Sequence, residues 1–120
     1  MSIPSIEGGT GAGTEVLRRS YTATNNNAYA VLINGVADHL YTVLSITICE
    51  TGGNAEDIGI RVMIDGSTEL KILETSTTIP ARSTYIFNDK LVLAGEDHLE
   101  VFTSAGDCDI YCSYIDQTFA

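Results

Sequence analysis

Leu40-Tyr41-Thr42-Val43-Leu44-Ser45-Ile46-Thr47-Ile48-Cys49 is the stretch that decides the fold. Leu44, Ile46 and Ile48 fall on one face of an extended chain and Ser45 and Thr47 on the other, the period of two that belongs to a β-strand. Ile58, Ile60, Val62 and Ile64 alternate in the same way with Gly59, Arg61, Met63 and Asp65. Shorter runs follow: Leu70 and Ile72; Ile86; Leu91 and Leu93; Leu99 and Val101; then Ile110, Cys112 and Tyr114. Turn chemistry separates them at Asn25-Asn26-Asn27, Asn34-Gly35, Gly52-Gly53-Asn54, Asp65-Gly66, Asn88-Asp89, Gly95-Glu96-Asp97 and Gly106-Asp107. Asn-Gly and Asp-Gly pairs tolerate the positive φ angles of tight hairpins. No window carries a long helix at a period of 3.6. About eight short strands with regular turns predict an all-β protein, a single antiparallel β-sandwich of jelly-roll-like form.

The chain has 120 residues and a mass of 12.8 kDa, enough for one domain. Hydrophobic residues make up 44% and mean hydropathy is +0.12, so a real core can form. Residues 1–14 (MSIPSIEGGTGAGT) stand apart, with four glycines between Gly8 and Gly13 and only Met1, Ile3, Pro4 and Ile6 as sizeable apolar groups. They read as a flexible, glycine-rich N-terminal arm, either a frayed end or a segment that orders against a neighbour through Ile3 and Ile6. Residues 15–120 form the sandwich domain.

Six Lys and Arg stand against 16 Asp and Glu, a formal charge of −10. So few cations cannot neutralise a phosphate backbone, and anionic membranes are disfavoured by the same sign argument, so neither nucleic acid nor membrane is expected as a partner. No run approaches the ~18 apolar residues of a membrane span, and no secretory signal is read at Met1-Ser2-Ile3-Pro4.

Several strands are apolar on both faces. Tyr41 and Val43 are expected outward, opposite Leu44 and Ile46; Tyr85 and Phe87 opposite Ile86; Phe102 opposite Val101. A second apolar face usually meets something, which in a chain of this size is often another subunit. Tyr41, Tyr85, Phe87 and Phe102, with Ile3 and Ile6, are therefore the candidate partner contacts, and a homo-oligomer is expected, with a trimer favoured.

Chemistry finds little support. His39 and His98 are the only imidazoles, and neither lies in a metal or nucleophile motif. Asp38-His39 and Glu96-Asp97-His98 read as solvated turns, and Glu56-Asp57 and Asp107 with Asp109 as acidic turns of an acidic chain. Asp107-Cys108-Asp109 is the one place for weak cation binding, and no calcium-loop spacing appears. No catalytic residue, no metal and no cofactor are expected, and no enzyme. The three cysteines, Cys49, Cys108 and Cys112, are no disulfide framework. Cys108 and Cys112 on one strand would lie about 13 Å apart, too far for a bond. A cross-strand bond from Cys49 to either stays open beside the reading of three small buried thiols.

Thr78-Ile79-Pro80-Ala81-Arg82-Ser83-Thr84-Tyr85-Ile86 followed by Lys90-Leu91-Val92-Leu93-Ala94-Gly95-Glu96-Asp97-His98-Leu99-Glu100-Val101 resembles the C-terminal half of small β-sandwich virion proteins of tailed bacteriophages. Their pattern runs I-P-x-G, then L-x-x-G-D-x-I-x-V, and ends V-x-x-S-Y-x-[DE]; Ile110-Tyr111-Cys112-Ser113-Tyr114-Ile115-Asp116 is similar to that ending. Leu40 to Glu50 leading into Thr51-Gly52-Gly53 is similar to their strand-and-turn segment. The matched segments cover about half the chain. Ala81-Arg82 departs from the usual glycine after the proline, and Gly95-Glu96-Asp97 carries one extra residue. The resemblance implies a capsid decoration (cement) protein that bridges capsid subunits on the outside of a phage head. Its partners would be the major capsid protein or other virion subunits, and its location the virion surface after synthesis in the host cytoplasm. A tail, collar or adaptor subunit is the alternative within the virion, and a free carbohydrate- or protein-binding module the alternative outside it.

Overall fold

The computed structural model describes residues 15–23 and 26–118. Nine strands follow one another: β1 (Glu15–Ala23), β2 (Ala28–Asn34), β3 (His39–Glu50), β4 (Glu56–Ile64), β5 (Thr68–Ile79), β6 (Thr84–Phe87), β7 (Leu91–Ala94), β8 (His98–Thr103) and β9 (Cys108–Thr118). They form two antiparallel sheets. The first runs β1-β9-β3-β6, with β7 also paired to β3; the second runs β2-β8-β4-β5. The two short strands share one long partner: β6 pairs with Ile46–Cys49 and β7 with Leu40–Val43.

The sheets bury their inner faces against each other. Val43, Ile46, Ile48, Ile58, Leu93, Leu99 and Val101 are fully enclosed, with Ile60, Ile110 and Cys112 beside them. Each such side chain stabilises the fold by about 1.5–3 kcal/mol relative to exposure.

The direction in which β3 faces corrects the sequence reading. Tyr41 and Val43 point into the core with Ile46 and Ile48, and Tyr41 is only 4% exposed. The cause is a β-bulge: Val43 pairs with Tyr114 and Ser45 with Ser113, leaving Leu44 as an extra residue. One extra residue inverts the parity of a strand, so an alternation counted straight through misassigns everything on one side of it. A second correction falls on β6. Ile86 is exposed, while Tyr85 and Phe87 pack against the core, because Ile86 lies opposite the outward Thr47 of β3. Phe102 does face outward from the second sheet, opposite Val101, and meets Tyr29 at 5.3 Å between ring centroids.

The turns use the residues expected of them. Asp65 and Gly66 both take positive φ (54° and 73°), and Ser67 N–H donates to Ile64 C=O at 3.0 Å, closing a tight turn of the primed kind. Arg82 takes φ 57° in the Pro80–Ser83 turn, the position at which the resembled pattern carries glycine. A side chain in that region costs about 1–2 kcal/mol, and the conformation persists only if neighbours enforce it.

Candidate functional site

Three regions gather the polar and reactive side chains. At one end of the sandwich, loops from both sheets converge on two buried carboxylates, Glu50 and Glu56. Glu50, the last residue of β3, accepts hydrogen bonds from the N–H groups of Gly52 (2.8 Å), Gly53 (3.0 Å) and Arg82 (2.9 Å). Glu56, the first residue of β4, accepts from Ala105 (3.3 Å), Gly106 (3.1 Å) and Asp107 (3.4 Å). Each buried charge is thus solvated by three backbone dipoles. The Arg82 N–H above all, then those of Gly52 and Gly53, hold the Glu50 carboxyl below the usual carboxylate range despite its burial.

Glu50, Glu56 and the exposed Asp107 each bring one carboxylate oxygen within 4.8 Å of the others, the spacing at which oxygens share a cation. The N–H bonds engage both oxygens of each glutamate, so these two groups serve first as loop anchors. The sequence reading placed cation binding at Asp107 with Asp109; the structure parts them. Asp107 joins the glutamates, and Asp109 sits on the outer face of the first sheet opposite Cys49.

At the opposite end, His39 is half-buried rather than a solvated turn residue. Its Nδ1 lies 2.7 Å from Asp116 Oδ1, and Arg18 Nε donates to Asp116 Oδ2 at 2.9 Å. His39 stacks on Tyr41, whose hydroxyl accepts from Val36 N–H at 3.1 Å. Asp97 is likewise buried and accepts from the N–H groups of Asp65 (2.9 Å) and Ala94 (3.0 Å), joining two turns. Its neighbour His98 lies 3.7 Å from Glu100. These carboxylates hold structure in place.

Cys49, Cys108 and Cys112 form no disulfide with one another. Cys108 and Cys112 point into the core, whereas Cys49 shares the outer face with Asp109, so the sheet itself separates Cys49 from both. No bond can join them. Burial, with nearby Glu56 second, pushes the Cys108 thiol up to about 12, and burial alone pushes Cys112 to about 12.

The third region is the pair of outer faces, which differ. On the second sheet Arg61 lies 3.5 Å over the Tyr29 ring and binds Glu100 (2.8 Å) and Glu69 (2.8 Å), so its polar groups satisfy one another. The first sheet presents apolar rows. Tyr21, Tyr111, Thr47 and Ile86 lie side by side across β1, β9, β3 and β6. Leu17, Ile115, Thr42 and Val92 form a parallel row across β1, β9, β3 and β7. Tyr21, Ile86 and Val92 are each at least 60% exposed. Sequence reasoning expected an apolar outer face and assigned it to Tyr41, Tyr85 and Phe87; Tyr21, Ile86, Val92 and Tyr111 carry it instead. Ile3 and Ile6 lie outside the described residues.

No protein-family model matches the chain, and no curated protein matches it. Solved structures do. The fold is similar to that reported for Bacillus endospore appendages, described as a family of disulfide-linked pili, at 16% identity and a TM-score of 0.57, over 100% of this chain and 98% of that one. It is also similar to a chain of the T13 viral particle of infectious bursal disease virus, at 11% identity and a TM-score of 0.54, over 88% of this chain and 31% of that one. A pentameric capsid protein from metagenomic phage sequences matches at 14% identity and a TM-score of 0.43, over 87% of this chain and 61% of that one. At such identities the likeness is one of fold: the chain has an all-β sandwich of a kind that viral capsid and pilus structures also contain.

Proposed function

We propose that this protein is a structural subunit of a larger assembly, a capsid decoration (cement) protein that bridges subunits on the outside of a phage head and performs no catalysis. The observation that carries this reading is the pair of apolar rows on the outer face of the first sheet. Contiguous exposed apolar surface favours a protein partner, and an antiparallel sheet offers it on a rigid support. The resemblance of the Thr78–Val101 region to phage virion sandwiches supplies the kind of assembly. A trimer around a symmetry axis suits such a role.

The physical effect required is mass action. A protein that binds the assembled shell and not its free subunits stabilises the shell by RT ln(1 + [L]/Kd) per site, about 2.7 kcal/mol at a hundredfold excess over Kd. The test is heat survival of the particles that carry the chain. Particles lacking it should burst at a lower temperature, and re-addition should restore them. Equal survival with and without the chain would overturn the cement role.

A second reading is a repeating subunit of a filament, favoured by the end-to-end match with the pilus structure, which spans nearly the whole of both chains. Disulfide linkage would then rest on Cys49, since Cys108 and Cys112 are buried. Electron microscopy of the purified protein separates the two, as filaments or as discrete oligomers.

A further inference from the structure

Between the two apolar rows the short Ser113 on β9 faces the short Ser45 on β3, and β1 contributes the long Arg19 at the edge. A trough crosses the strands there, walled by Tyr111 and Leu17, with Leu44 in it because the bulge displaces that residue outward. Arg19 is exposed and leans towards Tyr21, 5.6 Å from the ring centroid, and it has no carboxylate within ion-pair distance among the described residues. Immediately before β1 the chain reads Met1-Ser2-Ile3-Pro4-Ser5-Ile6-Glu7, then seven residues rich in glycine.

We propose that residues 1–7 of a second copy of this chain dock in the trough, Ile3 and Ile6 against Leu44, Leu17 and Tyr111, and Glu7 against Arg19. This rests on the assembly reading above and gives it a contact. Pro4 fixes its own φ and biases Ile3 towards an extended or polyproline conformation. In polyproline geometry, with three residues per turn and ~3.1 Å of rise, residues at positions 3 and 6 share one side about 9 Å apart. The trough offers a matching interval, since β1 and β3 are two strand spacings, about 9.5 Å, apart. Ile3 at Leu44 and Ile6 beside Leu17 leave Glu7 at the β1 edge, where Arg19 stands. Opposite charge completes the match on a molecule that otherwise repels anions.

The donor is a second copy for two reasons. The chain's own arm leaves β1 at its Glu15 end and would have to double back over the Leu17 row to reach Arg19. A second copy enters directly, and its body then covers Tyr21, Ile86 and Val92, which seven residues cannot. The tether, residues 8–14, spans up to about 24 Å, enough to cross a subunit boundary.

The test is site-directed crosslinking of the full chain with Cys49→Ser throughout. One tagged chain carries Ile6→Cys, another carries Ser113→Cys, and the two are mixed under copper-phenanthroline oxidation. The expected result is a mixed disulfide dimer several-fold above that obtained with Lys71→Cys on the second sheet. Glu7→Lys should reduce the yield, and Glu7→Lys paired with Arg19→Glu should restore it. A chain carrying both cysteines should give interchain products. Equal yields at Ser113→Cys and Lys71→Cys, or closure of the double variant within one chain, would overturn the proposal. Sedimentation of the same samples separates the two levels. An oligomer without site-selective crosslinking removes this docking and leaves the assembly reading, whereas a monomer throughout removes both.

Discussion

Glu50 Oε1 lies 2.9 Å from the backbone nitrogen of Arg82, 32 positions further along the chain. The contact joins the end of β3 to the turn before β6 and explains why a non-glycine residue keeps φ 57° there. Left-handed backbone aims that N–H at the carboxylate, and the charge-assisted bond offsets the steric cost. The departure of Arg82 from the glycine of the resembled pattern is therefore compensated locally.

Removing the second anchor should be costly. Glu56→Ala leaves three loop N–H groups without their acceptor and is expected to destabilise by about 2 kcal/mol, since each buried donor left unpaired costs about 1–3 kcal/mol and a loop recovers some of this from water. Urea unfolding reads the change, and a wild-type midpoint would mean that the bonds contribute nothing. Glu50→Ala should lower the midpoint more than Glu50→Gln, which keeps one acceptor.

Acid should weaken the same end. The carboxyl of Glu50 titrates lower in the folded state than its ordinary value of 4.5, chiefly through the Arg82 N–H. Its contribution to stability is complete above that value and is lost as pH falls through the depressed folded-state value. Thermal melts from pH 6 downward should show a decline that is shallower in Glu50→Gln. An identical pH profile in both proteins would dismiss this assignment.

Thiol reactivity should divide by face. With Cys108 and Cys112 raised to about 12 and enclosed, only Cys49 should react with maleimide in the native protein at pH 8, and all three in denaturant. Mass spectrometry counts the adducts. Rapid native labelling of Cys112 would contradict the inward facing of β9.

Strand existence was legible because alternation and Asn-Gly or Asp-Gly turns are local signals, as in Ile58–Ile64 and Asp65-Gly66. Facing was not always legible. Nothing in Val43-Leu44-Ser45 marks a bulge, since Leu44 fits either parity and only its pairing with β9 fixes it. Tyr85-Ile86-Phe87 is apolar throughout, so only Thr47 opposite Ile86 decides it. β1 lacks a clean apolar alternation because it is an edge strand: Arg18, on the side of Val16, reaches Asp116 at the sheet end, and Arg19 stands on the outer face. Glu56 read as part of an acidic turn because the N–H groups that bind it come from a loop 49 to 51 positions away, and Glu50 carried no signal because its Arg82 partner lies 32 positions on.

The corrected facing of β3 and β6 makes its own prediction. Tyr41→Ala should destabilise by about 3–5 kcal/mol, the range for deleting a buried aromatic ring, whereas Ile86→Ser should change stability by less than about 0.5 kcal/mol. Similar losses for the two variants would restore the reading in which Ile86 faces inward.

Sedimentation velocity of the full chain beside a Tyr111→Glu, Ile86→Glu double variant bears most directly on assembly through the first sheet. The chain should run at micromolar concentration as a symmetric oligomer, a trimer of 12.8 kDa subunits being favoured, and the double variant as a folded monomer with an unchanged circular dichroism spectrum. A 12.8 kDa monomer for the unaltered chain at every micromolar concentration, or an oligomer that the two charges leave intact, would contradict it.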